Sequence, residues 1–311
     1  MVTLYPLLLS VGLGITTSDA PTTGARYADG VLGTWDGQFR PSVVFVSMRV
    51  ERERGFTLYG HTYALAELAD LRREKRAVGF ELHRGAGSFR FDGAARDLRA
   101  SGTFEFIPNT GYKRAAERLG YKKLEPHHQL TFAVHDVTLG ELRQLRRLIA
   151  GKPSAADAAR LFERGASPEF VRDLAGVGFS GLTVDALLRV REAGVNGDYV
   201  RAMRAEGFRL SLPEYVKART RGLTLEYVQQ LKSVGLRDLS AAEYYLLLDN
   251  DVTAEFASSI YELGYSACDI ADLVRLRNHG ITASFIRKAN KQAGEQLTVT
   301  ELIRYRSRGE Y

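Results

Sequence analysis

The chain has 311 residues, 45% of them hydrophobic and 26% charged, with a net charge of +6. That composition fits a folded globular protein and excludes a disordered or collagen-like one. No basic tail stands out: 18 basic against 15 acidic residues up to Asp136 leave +3, and 25 against 22 beyond it leave +3 again.

Residues 1–21 read as a leader. Leu4 to Ile15 (LYPLLLSVGLGI) is an apolar run of signal-peptide length, and Ser18 and Ala20 offer a small-residue cleavage site. No Lys or Arg precedes the run, and a buried first strand or a disordered leader is the other reading. The expectation is an exported, periplasmic or cell-envelope protein, with a cytoplasmic one as the alternative. The run is too short for a bilayer, and no other segment approaches about 18 apolar residues, so no integral membrane span is expected.

Residues 22–109 carry strand signals. Thr22 to Thr34 is rich in Gly and Thr and reads as a loop. Val44, Val46, Met48 and Val50 alternate with polar positions, as in a half-buried strand. Phe56 to His61 returns as its partner, with Glu51 to Gly55 as the turn. Ala64 to Arg76 reads as a short helix. Alternation resumes at Val78, Phe80 and Leu82, then at Phe89 and Phe91, with Asp92-Gly93 as a turn, then at Phe104 and Phe106. Strands so closely spaced must be antiparallel, because parallel ones need long crossovers. The expected core is Phe80, Phe89, Phe91, Phe104 and Phe106, with Trp35 packed on it.

Residues 110–136 read as a helical adaptor: Tyr112 to Leu119 is amphipathic and stops at Gly120, and Leu130 to Val134 leads into Asp136. From 137 to 311 the chain repeats. A marker glycine recurs at Gly165, Gly194, Gly222, Gly280 and Gly309, with Asp251 in its place once, at steps of 29, 28, 29, 29 and 29 residues. A fixed period of this length marks a helical solenoid. Each unit opens with a capping residue (Thr138, Ser167, Asn196, Thr224, Thr253, Thr282) whose side chain can accept from orphan backbone N–H groups. The first helix stops at Gly178, Gly207, Gly235 or Gly264. The second opens with Thr183, Ser211, Ser240, Asp269 or Thr298, and three of these form a capping box with Glu214, Glu243 and Glu301. The expected fold class is therefore α+β: a small antiparallel β domain, then an α-solenoid of about six two-helix repeats of about 29 residues.

Two cationic rows run through the repeats. Arg191, Arg219, Arg277 and Arg306 lie three residues before the marker; Arg189, Lys217, Arg275 and Arg304 lie two earlier. Their positions suit the last turn of a helix, where the dipole favours cations. They also suit a basic strip for an acidic partner. The copy ending at Asp251 has Leu246 and Leu248 instead, next to Tyr244 and Tyr245, which form a deeper core contact or a sticky patch.

No zincin, P-loop or nucleophile-elbow motif is present, and Gly12-Leu13-Gly14 lacks the rest of a dinucleotide fingerprint. One cysteine, Cys268, permits no intrachain disulfide and no thiolate metal cluster; it reads as a small structural residue. His127, His128 and His135 fit no standard metal spacing. No cofactor, metal or catalytic residue is expected.

The phrases Val195 to Phe208 (VNGDYVRAMRAEGF), Leu223 to Leu236 (LTLEYVQQLKSVGL) and Asp272 to Phe285 (DLVRLRNHGITASF) resemble helical repeats of bacterial proteins. These include regions appended to membrane metallopeptidases of the beta-lactam-sensing antirepressor type. Gly87 to Gly93 and Gly102 to Phe106 are similar to the β-rich module that sometimes precedes such repeats, so the resemblance runs from Ala77 to Gly309. It implies an exported or envelope module and no activity, because the peptidase zinc motif is missing. The expected function is non-enzymatic binding of a protein or peptide by the repeat surface. The alternatives are nucleic-acid or other polyanion binding along the Arg/Lys strip, or a small-ligand or catalytic site in the β domain near His61, His83 and Trp35.

Overall fold

The structure is a computed structural model that describes residues 30–309 apart from Arg54 and Lys75. The leader expected over residues 1–21 lies outside the described residues. The described chain forms two compact units, one holding the strands and the other the helices.

The first unit is a seven-stranded antiparallel sheet: β1 (Val31–Phe39), β2 (Val43–Glu51), β3 (Phe56–Ala64), β4 (Leu68–Arg73), β5 (Ala77–Arg84), β6 (Gly87–Arg96) and β7 (Arg99–Pro108). The strand order is β3-β2-β1-β7-β6-β5-β4. Each strand pairs with its sequence neighbour except β3 with β4, and β7 returns to pair with β1. Seven flat strands would hold the two edges about 29 Å apart. Yet the link from Ala64 to Leu68 spans at most about 14 Å. The sheet therefore curls until its edges approach, giving an up-and-down barrel with one unzipped seam. Ring contacts show the curl directly: Trp35 on β1 meets Phe80 on β5 at 5.3 Å, and Arg73 on β4 covers Phe39 on β1 at 4.6 Å.

The curled inner face is the core. Phe80, Phe89, Phe91, Phe104 and Phe106 are all buried there, and Trp35 packs edge-on against Phe80 and Phe91. Three expectations are corrected. Val31 to Thr34 belongs to β1, because backbone pairing with β7 outweighs its loop-like composition. Residues 64–76 form one 3₁₀ turn and then β4, which pairs with β5 across a bulge. Asp92-Gly93 runs straight through β6; Gly93 faces Gly102, where backbones approach too closely for a Cβ, and the reversal comes at Asp97, with φ of 56°.

The second unit holds fourteen helices among the described residues. They are α1 (Thr110–Arg118), α2 (Pro126–Val134), α3 (Leu139–Leu148), α4 (Ala155–Glu163), α5 (Pro168–Gly176), α6 (Val184–Glu192), α7 (Gly197–Ala205), α8 (Leu212–Thr220), α9 (Leu225–Ser233), α10 (Ala241–Asp249), α11 (Ala254–Tyr261), α12 (Ile270–Asn278), α13 (Ala283–Ala293) and α14 (Val299–Arg308). Most are nine residues long, too short to be stable alone, so packing holds them. Alternate helices stack: α3 on α5, α5 on α7, α4 on α6, α6 on α8, α10 on α12. Odd helices thus build one layer and even helices the other.

Local chemistry sets the boundaries. Each of the six expected first-helix caps accepts a backbone N–H three residues on, as Asn196 does from Tyr199 at 2.8 Å. Glu214, Glu243 and Glu301 each reach back to the backbone N–H of their capping residue, at 2.7–2.8 Å. Bonds from the capping hydroxyl and backbone N–H, the hydroxyl first for Glu214 and Glu301 and the N–H first for Glu243, hold the three carboxyls below their ordinary range. The marker positions are left-handed helix stops, and Asp251 matches them with φ of 52°. An Asp side chain tolerates that conformation at modest strain.

Helices α1 and α2 carry the same marks. Gly120 stops α1 with φ of 97°, close to Gly207 at 99°, and Asp136 closes α2 at 49°, as Asp251 closes α10. The Tyr112 hydroxyl donates to the carbonyl of Val137, as Tyr199 does to Leu223 and Tyr227 to Val252. The adaptor stretch thus folds by the repeat's own rules.

Candidate functional site

The two cationic rows have different fates. Arg191, Arg219, Arg277 and Arg306, the inner row, lie over rings along the stack, Arg219 and Arg306 half-buried and Arg191 and Arg277 exposed. Their guanidinium groups lie 5.2–5.4 Å from the rings of Phe170, Tyr199, Phe256 and Phe285 on the odd helix of the same unit. Arg191 Nε also donates to the carbonyl of Arg164, at the end of the preceding even helix, 3.1 Å away. That carbonyl is the negative pole of the helix, so charge and ring both favour the pose. The odd helices use the same device. Arg146 donates to Gly120 O and covers Tyr121; Arg204 donates to Val177 O and covers Phe179. Arg191, Arg146 and Arg204 thus fasten one unit to the next.

The outer row stays at the surface. Arg189, Lys217, Arg275 and Arg304 are all exposed, one on each of α6, α8, α12 and α14. Arg189 helps line a shallow cleft of about 220 Å³ between α4 and α6, together with Arg160, Arg164, Asp185 and Glu192. Lys217 Nζ lies 5.6 Å from the Tyr245 ring. Arg275 bonds Asp272 and Thr300. Arg304 lies near Glu301 and adds to the pull that keeps its carboxyl low, after the Thr298 bonds.

The copy ending at Asp251 departs from this plan. Leu248 replaces the inner arginine and approaches Gly222 of the preceding unit, as Arg219 approaches Gly194 one unit earlier. Leu246 replaces the outer cation and is 43% exposed. Tyr245 is half-buried beside it, covered by Lys217 and, at 5.1 Å, by Arg221. Arg221 was not singled out by sequence; its signal is the 28-residue step to its ion-pair partner Asp249.

Tyr244 is core, not surface: it is buried against Phe208 and Tyr227. Its hydroxyl is buried without a hydrogen-bond partner. The equivalent Tyr215 donates to the carbonyl of Phe208 at 3.1 Å. Gly207 to Ser211 before α8 is five residues, whereas Gly235 to Ser240 before α10 is six and bends at Asp238. The extra residue removes the carbonyl that Tyr244 would need.

The β-domain residues do not converge. Trp35 is buried with its Nε1 donating to Asp92 O, His83 is exposed on β5 against Ser88, and His61 stacks on Tyr63 on β3. A cleft on β4–β6, lined by Asp70, Arg72, Glu81, Arg90 and Asp92, includes none of the three. Among the described residues no group of three His, Cys, Asp or Glu side chains could hold a metal ion. Cys268 is half-buried, and burial, followed by Asp272 and Asp269, pushes its thiol up to about 11, far from a reactive thiolate. No helix among the described residues is long and apolar enough to cross a membrane.

No protein-family model, curated protein or solved structure matches the chain. The even-helix face is therefore read from its own residues.

Proposed function

We propose that the helical unit is a non-enzymatic binding module whose even-helix face holds an acidic stretch of a protein or peptide partner. One observation carries the reading: all four inner arginines lie over aromatic rings, whereas the outer row is exposed at one register of successive even helices, with only Lys217 near a ring. Helix-end charge favours both rows, which share the last turn of α6, α8 and α12. The ring contacts set the inner row apart and leave the outer row for a partner.

The test separates the rows. A variant with Arg189, Lys217, Arg275 and Arg304 all changed to Ser is compared with Arg191→Ala. Binding of a fluorescein-labelled acidic peptide is read by anisotropy at low salt, and stability by urea denaturation. The outer-row variant should lose most binding and keep its midpoint. Arg191→Ala should keep binding and lose about 1 kcal/mol of stability, the worth of a cation–π contact plus a helix-end charge. Equal binding by wild type and the fourfold variant would remove the reading.

A further inference from the structure

Resting on that reading, we infer that the partner segment is an acidic peptide in the polyproline II conformation, with carboxylates at every third residue and one apolar side chain at its centre. The outer register runs Arg189, Lys217, Leu246, Arg275, Arg304, one residue on each of five successive even helices. Two cations flank an exposed leucine on either side. A uniform polyanion has no use for Leu246 at the middle of its track. A peptide does: one apolar side chain can cover Leu246 and the open edge of Tyr245 while acidic neighbours reach the cations.

The acids beside the row are already occupied. Asp185 pairs with Arg160, Glu192 with Arg164, and Asp249 with Arg221. They therefore repel an incoming carboxylate less than their number suggests. Arg275 has a direct ion pair of its own, Asp272, at 3.1 Å, and Lys217 and Arg304 stand near Glu214 and Glu301, so a bound carboxylate competes or shares there.

Spacing sets the conformation. Packed helices stand about 8–10 Å apart, so four steps from Arg189 to Arg304 cover about 32–40 Å. A β-strand presenting every second residue covers about 27 Å in four steps. An α-helix presenting every seventh covers about 42 Å. Polyproline II, at about 9.3 Å per three-residue turn, covers about 37 Å and stays in register throughout. It also leaves its backbone hydrated, so it needs no sheet edge.

The probes are labelled 13-residue peptides in a Pro-rich frame, tested on the full chain by anisotropy. The first has Glu at positions 1, 4, 10 and 13 and Leu at 7. A second replaces that Leu with Glu. A third has the first's composition with acids at every second position. A single-stranded DNA of matched charge is the fourth. The first peptide should bind best, with the second and third at least about tenfold weaker, the worth of one buried apolar side chain or a lost register. Leu246→Lys, at an exposed position, should reverse the order of the first two. Equal binding of the first and third peptides overturns the register while leaving an acidic-peptide face intact. Tighter binding of the DNA, strengthened further by Leu246→Lys, overturns the peptide assignment. If no acidic peptide binds wild type more tightly than the fourfold outer-row variant, the functional reading itself fails.

Discussion

In the sheet, the first strand is closed by the last and one core is shared; in the helical array partners lie one repeat away. Thr34 on β1 pairs with Thr103 on β7, and Trp35 meets Phe80 and Phe91. In the array, Arg164 with Glu192, Arg172 with Gln144, Arg201 with Asp173 and Arg221 with Asp249 are each 28 residues apart. The curled sheet has one shared core, so damage at one ring spreads to every strand. The array has a serial core of nearest-neighbour interfaces, and damage there should stay local. That difference suits the array to varying its surface, as at Leu246, without endangering its fold.

The strongest way to break the comparison is Phe91→Ala. Phe91 is fully buried and touches the rings of Trp35, Phe80, Phe89 and Phe104. Removing it should cost about 3–5 kcal/mol. Trp35 is the single tryptophan, so its fluorescence reports the sheet alone, while far-UV circular dichroism is dominated by the helices. The fluorescence midpoint in urea should fall sharply while the helical midpoint holds. Equal shifts in both signals would show that the two units melt as one.

A smaller effect sharpens the serial picture. Tyr215→Phe removes one buried bond to the Phe208 carbonyl, which keeps Arg209 as a donor at 3.2 Å, and should cost about 0.5–1.5 kcal/mol. Tyr244→Phe removes a buried hydroxyl that has no hydrogen-bond partner, so stability should hold or rise slightly. The two tyrosines sit at the same place in successive units, and the helical urea midpoint checks both. A loss at Tyr244 as large as at Tyr215 would show that its hydroxyl is satisfied in solution, for example by a bound water.

The array was legible in the sequence because its signals are local. Caps at Thr138 to Thr282, stops at Gly178 to Gly264 and the left-handed markers each act within a turn of helix, and periodicity then multiplies them. The aromatic core was legible from alternation at Phe80, Phe89 and Phe104. What stayed hidden depends on which strands pair. Val31 to Thr34 and Leu68 to Arg73 become strands only because β7 and β5 pair with them. The Asp92-Gly93 turn signal was overridden because Gly93 is needed where two backbones close on Gly102. The candidate face was half legible: both arginine rows could be found by spacing. Which row points at a ring depends on the helix stacked beside it, and no local pattern states that.

The smallest effect tests a single inter-repeat clasp by pH. Glu206, at the end of α7, accepts from Lys232 Nζ at 2.6 Å and from Gln229 at 3.1 Å. The lysine bond first, then the glutamine, holds its carboxyl below the ordinary range. The sign follows from linkage. A carboxyl whose folded pKa is depressed adds stability above its unfolded pKa, about 4.3, and that stability is lost as pH falls through the lower folded value. The pair lies near the surface, with 18% and 30% of its side chains exposed, so screening holds the contribution below about 1 kcal/mol. Other carboxyls, Glu214, Glu243 and Glu301 among them, titrate in the same direction. The informative quantity is therefore the difference between wild type and Glu206→Gln. Above about pH 5 the variant should be slightly less stable; as pH drops below the unfolded value the two curves should converge. Lys232 also donates to the Glu206 carbonyl, at 3.4 Å, which titration leaves in place, so Lys232→Met should cost more than Glu206→Gln and should flatten the remaining difference. A gap between wild type and Glu206→Gln that widens on acidification would mean that the clasp does not hold the carboxylate in its charged form.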